Sequence, residues 1–81
     1  MTSAADRAKA ILNDLNNNDL SIVAISDAEI ISQEIDRYDG MSFLRAFGAA
    51  YFAAQTKGVS KKAKEATFLD LRGHLVHIIG D

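Results

Sequence analysis

The sequence predicts an all-α fold, a compact bundle of four to five short helices that forms a single domain over residues 1–81. Three observations support this prediction. Proline is absent, and 48% of the residues are hydrophobic. Apolar residues recur every three or four positions through most of the chain, which is the periodicity of one helix face. Serines, asparagines and glycines separate the apolar segments, as is typical of helix ends.

The first predicted helix spans about residues 4–16. Ser3 and Asp6 have the spacing of a capping box at its start. The run Asn16-Asn17-Asn18 interrupts its apolar pattern and predicts its end.

The second predicted helix covers about residues 20–38. Its apolar stripe consists of Leu20, Ala24, Ala28, Ile31, Ile35 and Tyr38. A capping box in Ser26-Asp27-Ala28-Glu29 predicts a break or a fresh start within this segment. Gly40 is the expected left-handed residue that ends it. Residues 20–25 (LSIVAI) are the one β-like run, so a strand that pairs with its copy in a dimer stays an alternative to helix there.

Serines are placed to cap the two remaining helices. Ser42 begins the third helix, which runs to about Lys57 and ends at Gly58. Ser60 begins the fourth helix, which runs to about Ile79. The predicted buried stripes are Phe43, Phe47, Ala50, Tyr51 and Ala54 in the third helix, and Phe68, Leu71, Leu75 and Ile78 or Ile79 in the fourth, with Leu69 and Val76 beside it.

The third helix is apolar or small on nearly all sides, which predicts that it makes contacts on more than one side. The predicted self-association residues are Gly48, Ala49, Phe52 and Ala53. Gly73, in the middle of the fourth helix, costs about 1 kcal/mol and predicts close packing against another backbone. We therefore expect a homodimer formed through the third and fourth helices.

The length and composition of the chain exclude several classes of protein. A chain of 81 residues buries only roughly 60–65% of its unfolded surface, so a partner is a common source of extra stability. Cysteine is absent, which excludes disulfides and thiolate metal sites. No window approaches the roughly 18 apolar residues of a membrane span, and the first ten residues lack a secretion pattern. We expect a cytoplasmic protein with no membrane segment.

Charge is distributed unevenly along the chain, although the net charge is only −2. From Asp14 to Asp39 there are seven acids and one base, a net of −6. From Met41 to Arg72 there are six bases and two acids, a net of +4. Two interpretations follow: the halves attract each other in the fold, or each half presents a surface to a different partner.

A lysine corner joins the third and fourth helices. Its members are Lys57, Lys61, Lys62 and Lys64, around Gly58-Val59-Ser60. Lysines in the first turn of a helix oppose the helix dipole, which favours a functional reason for them. They could contact phosphates of a nucleic acid or carboxylates of a protein.

Part of this corner resembles the helix-turn-helix motif of DNA-binding proteins. Ala54 and Gly58-Val59-Ser60 follow its A-x-x-x-G-V-S pattern over about twenty residues. The resemblance implies that Gly58 makes the turn, Ser60 caps a recognition helix and the lysines face phosphates. The chain departs from the motif at Lys64-Glu65-Ala66, where the recognition helix has apolar residues that pack on its predecessor.

A second cluster, on the fourth helix, has the chemistry of a metal site. Asp70, His74, His77 and Asp81 fall within a wedge of roughly 60° on one side of the helix. Imidazole and carboxylate ligands suit zinc, yet a site needs a further ligand from another element, and the sequence identifies none. Metal binding by these residues is left open, and we predict no metal and no cofactor.

The sequence contains no recognisable catalytic motif. It lacks a cysteine nucleophile, a glycine-rich phosphate loop and a His-Glu-x-x-His pattern, and capping explains Ser42 and Ser60. We predict that the protein is not an enzyme. It is expected to be a small protein-interaction module, acting as a regulator, adaptor or inhibitor, and homodimeric. The alternative is a small helix-turn-helix-like DNA-binding regulator that uses the Lys57–Lys64 corner.

The expected partner-binding residues form two surfaces of opposite charge. One is the lysine corner. The other is an acidic face formed by Glu29, Glu34, Asp36 and Asp39. This acidic face would suit a basic partner, including the DNA-binding surface of another protein.

Overall fold

The computed structural model describes residues 3–80 and consists of four helices. These are α1 (Ala4–Asn16), α2 (Val23–Glu34), α3 (Arg37–Gln55) and α4 (Lys61–Gly80). The prediction of an all-α bundle is confirmed, with four helices rather than five. Among these described helices, none is long and apolar enough to cross a membrane.

Neighbouring helices run antiparallel and close into a ring, in which α4 packs against both α1 and α3. Gln55 at the end of α3 donates a hydrogen bond from Nε2 to the carbonyl oxygen of Leu20, just before α2, at 3.1 Å. Arg72 of α4 donates to Asn16 at the end of α1 at 2.8 Å. The resulting bundle measures 37 × 22 × 19 Å. Its first end holds the α2–α3 connection, and its second end holds the α1–α2 and α3–α4 connections.

The core runs along the middle of this ring and draws on every helix. Its buried residues are Ala8, Ile11 and Leu15 of α1, Leu20, Ala24, Ala28 and Ile31 in and before α2, Phe43, Ala46, Phe47 and Ala50 of α3, and Phe68, Leu71 and Leu75 of α4. The rings of Phe43 and Phe47 lie 6.2 Å apart, within the range of favourable aromatic contacts. The stripes predicted for α3 and α4 are therefore largely confirmed, with Tyr51, Ala54, Ile78 and Ile79 partly buried at their edges.

Two predicted serine caps are confirmed. Ser3 Oγ accepts a hydrogen bond from the backbone N–H of Asp6 at 3.2 Å, and Ser60 Oγ accepts one from the N–H of Ala63 at 3.1 Å. Between α3 and α4, Gly58 has a φ of +94°, a left-handed conformation that favours glycine. The corner between these helices thus forms as its residues predict.

Two features predicted for the second helix are wrong: the break at Ser26 and the position of its end. Ser26 lies exposed inside α2, and the helix passes through residues 26–29 without a break. Asp27 instead pairs with Arg7 of α1, at 2.8 Å between Oδ1 and Nη1. The helix also ends at Glu34, four residues earlier than predicted, because Ile35 adopts an extended conformation. Residues 20–25 form the turn into α2 and its first residues, so the strand alternative is also wrong.

Three further predictions about single residues are wrong. Gly40 and Ser42 lie inside α3, so neither a left-handed stop nor a cap occurs there. A Cβ atom on Gly40 would lie only 2.8 Å from the carbonyl oxygen of Ser32, which shows that Gly40 lets α2 and α3 approach closely. Gly73 was expected to serve such an approach, but a Cβ atom there would meet nothing within 4 Å.

We predict that Gly40→Ala destabilises the bundle by about 1–2 kcal/mol in urea unfolding. The Cβ atom meets backbone rather than a flexible side chain, so the clash costs about 2–3 kcal/mol and outweighs about 1 kcal/mol of gained helix propensity. The matched control is Gly73→Ala, which has open space and should stabilise the fold by roughly 0.5–1 kcal/mol. If both changes stabilise the protein, α2 and α3 do not approach as closely as described.

Candidate functional site

The two predicted charged surfaces lie at opposite ends of the bundle. Lys57, Lys61 and Lys62 are exposed at the second end, beside the α3–α4 connection. Asp36 and Asp39 are exposed at the first end, at the start of α3. The 19 residues of α3 separate these groups by about 28 Å, several times the Debye length of roughly 8 Å at physiological ionic strength. The two ends therefore act as separate electrostatic surfaces.

The remaining two acids of the predicted acidic face occupy different positions. Glu34 is exposed at the last residue of α2 and belongs to the first end. Glu29 is exposed about halfway along α2. The predicted acidic face is therefore concentrated at the first end, with Glu29 outside it.

Lys64 differs from the other three lysines because it is engaged within the fold. Its Nζ donates a hydrogen bond to the carbonyl oxygen of Asn18 at 3.3 Å and lies 5.3 Å from the centre of the Phe68 ring. Asp14 and Asp19, at the same end, accept hydrogen bonds from Ser21 and from the backbone of Leu20. Lys64 thus holds the α1–α2 connection against α4, whereas Lys57, Lys61 and Lys62 are exposed.

Among the described residues, no ion pair joins the acidic half of the sequence to the basic half. Over residues 3–80, the ion pair is that between Arg7 and Asp27, which joins α1 to α2. Within the same part of the chain, none of the four corner lysines pairs with a carboxylate. The lysines and the acids at the first end therefore do not neutralise each other by direct contact within the described residues.

An exposed apolar stripe runs along α3 between the two charged ends. We call this stripe the outer face of α3; it consists of Tyr38, Met41, Arg45, Gly48, Ala49 and Phe52. At 100° per residue these positions fall within an arc of about 100°, opposite the buried stripe. Tyr38 is 77% exposed, Met41 62% and Phe52 64%. Ala53, the fourth predicted self-association residue, is only 6% exposed and lies on the core side of the helix.

Beside the outer face, an open groove of about 440 Å³ separates α3 from α4. Its lining residues are Tyr38, Asp39, Ser42, Asp70, Gly73, His74 and His77. The groove thus contains three of the four residues considered as metal ligands. Among residues 3–80 no group of three side chains is placed to hold a metal ion, and Asp81 lies outside the described residues.

The corner matches the helix-turn-helix motif locally but not in the packing of its helices. Gly58 makes the turn and Ser60 caps α4, as the motif requires. However, α3 and α4 lie side by side, so that Ser42 near the start of α3 faces Gly73 and His74 far along α4. The two helices of a helix-turn-helix meet at about 90–120° instead. The Lys57–Lys64 corner is the tip of an antiparallel hairpin.

Two members of the outer face, Tyr38 and Met41, were missed by the sequence interpretation. Tyr38 was placed in the buried stripe of the second helix, because that helix was extended too far. Asp36 and Asp39 have the spacing of a capping box, a signal that would have started α3 at Arg37. From that start, helical periodicity places Tyr38 on the same side as Arg45 and Phe52.

The outer face and the two charged ends together form the candidate site. Comparison of the chain with protein-family models, with curated proteins and with solved structures finds no match. The exposed side chains and charges of this surface are therefore the basis on which a function is inferred.

We predict that Ser60→Ala lowers the free energy of unfolding by about 1 kcal/mol, because it removes the cap of α4 at the lysine corner. The matched control is Ser26→Ala. Ser26 is exposed within α2, so alanine should leave stability unchanged or raise it by a few tenths, about 0.5 kcal/mol at most. Thermal and urea unfolding measure both. Equal losses from the two changes would contradict the described start of α4.

Proposed function

We propose that the chain is a small non-enzymatic protein-interaction module, a regulator, adaptor or inhibitor, that binds protein through the outer face of α3 and the charged ends beside it. One observation carries this proposal. Tyr38, Met41 and Phe52 are all more than half exposed, in a bundle whose core is complete without them. Side chains of this size lower the free energy of a complex when a partner removes them from water, by about 25 cal/mol per Å² of apolar area.

The composition of the outer face supports the proposal. Aromatic residues, methionine and arginine are enriched at protein interfaces, whereas lysine and glutamate are depleted from interface centres. The outer face contains Tyr38, Met41, Arg45 and Phe52, and none of its members is a lysine or a carboxylate. An apolar centre with a charged rim is the usual anatomy of an interface between proteins.

The charged ends would contribute to the choice of partner and to the rate of encounter. Complementary charges at the rim of an interface raise association rates and disfavour partners with like charges. Here the two ends carry opposite charges, so a partner must present carboxylates near Lys57 and Lys61 and cations near Asp36 and Asp39. This requirement makes the surface directional.

DNA binding by the corner receives less support from the arrangement of side chains. The side-by-side packing of α3 and α4 does not project the start of α4 as a recognition helix. Within α4, no Arg, Asn or Gln precedes Arg72 to contact base edges. Arg72 itself donates a hydrogen bond to Asn16 within the bundle.

We predict that Phe52→Glu abolishes capture of protein partners from a lysate of the native host, while the fold is retained by circular dichroism. Glutamate replaces one of the exposed rings of this surface with a charge, which a partner would have to desolvate. The matched control is Val23→Glu. Val23 is 65% exposed, like Phe52, but it lies on α2. It is on the same side of that helix as Asp27, which pairs with Arg7 of α1. This control should capture the same proteins as the unchanged chain.

Nuclease treatment of half of each lysate separates protein partners from nucleic acid. The proposal expects capture that survives nuclease and that Val23→Glu preserves. Capture that disappears with nuclease, or that Phe52→Glu leaves intact, would contradict binding of protein through the outer face.

A further inference from the structure

We propose that the occupant of the outer face is a second copy of this chain, lying antiparallel to the first so that the lysine end of each copy meets the acidic end of the other. This inference rests on the proposed function, because it names the partner for the same surface. It is carried by two properties of the surface: the charges near its ends and the position of its small residues.

The charges near the two ends of the outer face are complementary to each other. Lys57 and Lys61 lie beyond one end of the face, and Asp36 and Asp39 lie at the other. A two-fold axis perpendicular to α3 reverses the direction of the second copy and therefore brings both pairs of opposite ends together. A parallel arrangement would place lysines beside lysines and carboxylates beside carboxylates, which is unfavourable.

The small residues of the face, Gly48 and Ala49, lie nearer its Phe52 end, where we place the crossing of two antiparallel α3 helices. A Cβ atom on Gly48 would meet nothing within 4 Å, so this glycine has no packing role inside the bundle. Gly48 and the adjacent Ala49 let the backbone of a second helix approach closely. The larger side chains of the face, Tyr38 and Phe52, lie on either side of this low point.

If the two α3 helices cross at Gly48, charged residues of one copy also lie at the level of suitable partners in the other copy. Asp39 lies nine residues before Gly48 and Lys57 nine residues after it. In an antiparallel pair, Lys57 of one copy therefore reaches the level of Asp39 of the other. Arg45 reaches, within one residue, the level of Phe52 of the second copy, where a guanidinium can lie over an aromatic ring.

A stable dimer requires a definite share of the surface of this chain. A specific interface buries about 800 Å² per partner, which is roughly 15% of the 5296 Å² surface of this chain. The outer face extends over 15 positions of α3, from Tyr38 to Phe52, or about 22 Å. With a crossing at Gly48, positions 44–52 of the two outer faces overlap, so the rest of the required area must come from the adjoining groove and the two charged ends.

The second copy also accounts for the lysines at the start of α4. The first turn of α4 contains no acidic residue, although acids there would stabilise the helix. Carboxylates from the first end of another copy would supply the missing negative charge. Replacement of Lys61 by glutamate should therefore improve α4 in the monomer while it weakens the dimer.

The test is sedimentation analysis of two charge-reversed variants, alone and mixed, at low salt. The first variant carries Lys57→Glu with Lys61→Glu, and the second carries Asp36→Lys with Asp39→Lys. In the proposed dimer each variant alone faces like charges at both ends, so its Kd should rise about tenfold or more. Their equimolar mixture restores opposite charges at both ends and should form a heterodimer with an affinity near that of the unchanged chain.

Two controls keep the result specific to the outer face. Phe52→Glu should weaken dimerisation by at least about 100-fold, because the ring is lost from both halves of a symmetric interface. Val23→Glu should leave the affinity unchanged. Thermal unfolding of the first charge variant, measured on the monomer, should show no loss of stability and so exclude misfolding as the reason for its weaker dimer.

Three results would overturn the inference. The unchanged chain could remain monomeric at about 100 µM, where even a weak specific dimer is populated. Both charge variants could dimerise as well as the unchanged chain, or their mixture could fail to recover. A monomeric chain that still captures another protein through Phe52 would overturn the second copy but leave the proposed function in place.

Discussion

The close approach of α2 and α3 at Gly40 is the contact on which the rest of the surface depends. Only two residues, Ile35 and Asp36, connect these helices, and Gly40 lies against the Ser32 backbone within the first turns of α3. This contact sets the rotation of α3 in the bundle. Phe43 and Phe47 on one side of the helix are then buried, and the outer face on the opposite side is exposed to solvent. A side chain at Gly40 would force the helices apart and change both sides together.

Local signals predicted those parts of the fold that depend on neighbours in sequence. The caps at Ser3 and Ser60 and the left-handed Gly58 were found from residue type and spacing alone. The α2–α3 connection was not found, because neither Gly nor Pro marks it and the apolar stripe continues through Ile35. Asp27 looked like part of a cap because its pairing with Arg7 depends on the packing of α1 against α2, which the local pattern does not contain.

The candidate site was predictable in part for the same reason. Gly48, Ala49 and Phe52 followed from a third helix that is apolar on too many sides for one core, but Ala53 turned out to belong to the core side. The charges were recognised as uneven along the chain. Their separation to opposite ends of one face could not be predicted, because it requires the antiparallel order of the helices. That separation is the basis of the antiparallel pairing that we propose.

The most direct test of this account is zero-length crosslinking of a mixture of ¹⁴N- and ¹⁵N-labelled chains, which joins lysines to carboxylates only where they touch. Mass spectrometry then distinguishes bonds between copies from bonds within one copy. The account predicts mixed-isotope products that join Lys57 or Lys61 of one copy to Asp36 or Asp39 of the other. Products confined to single chains, such as lysines joined only to Asp14 or Asp19 at their own end, would contradict an antiparallel pair of copies.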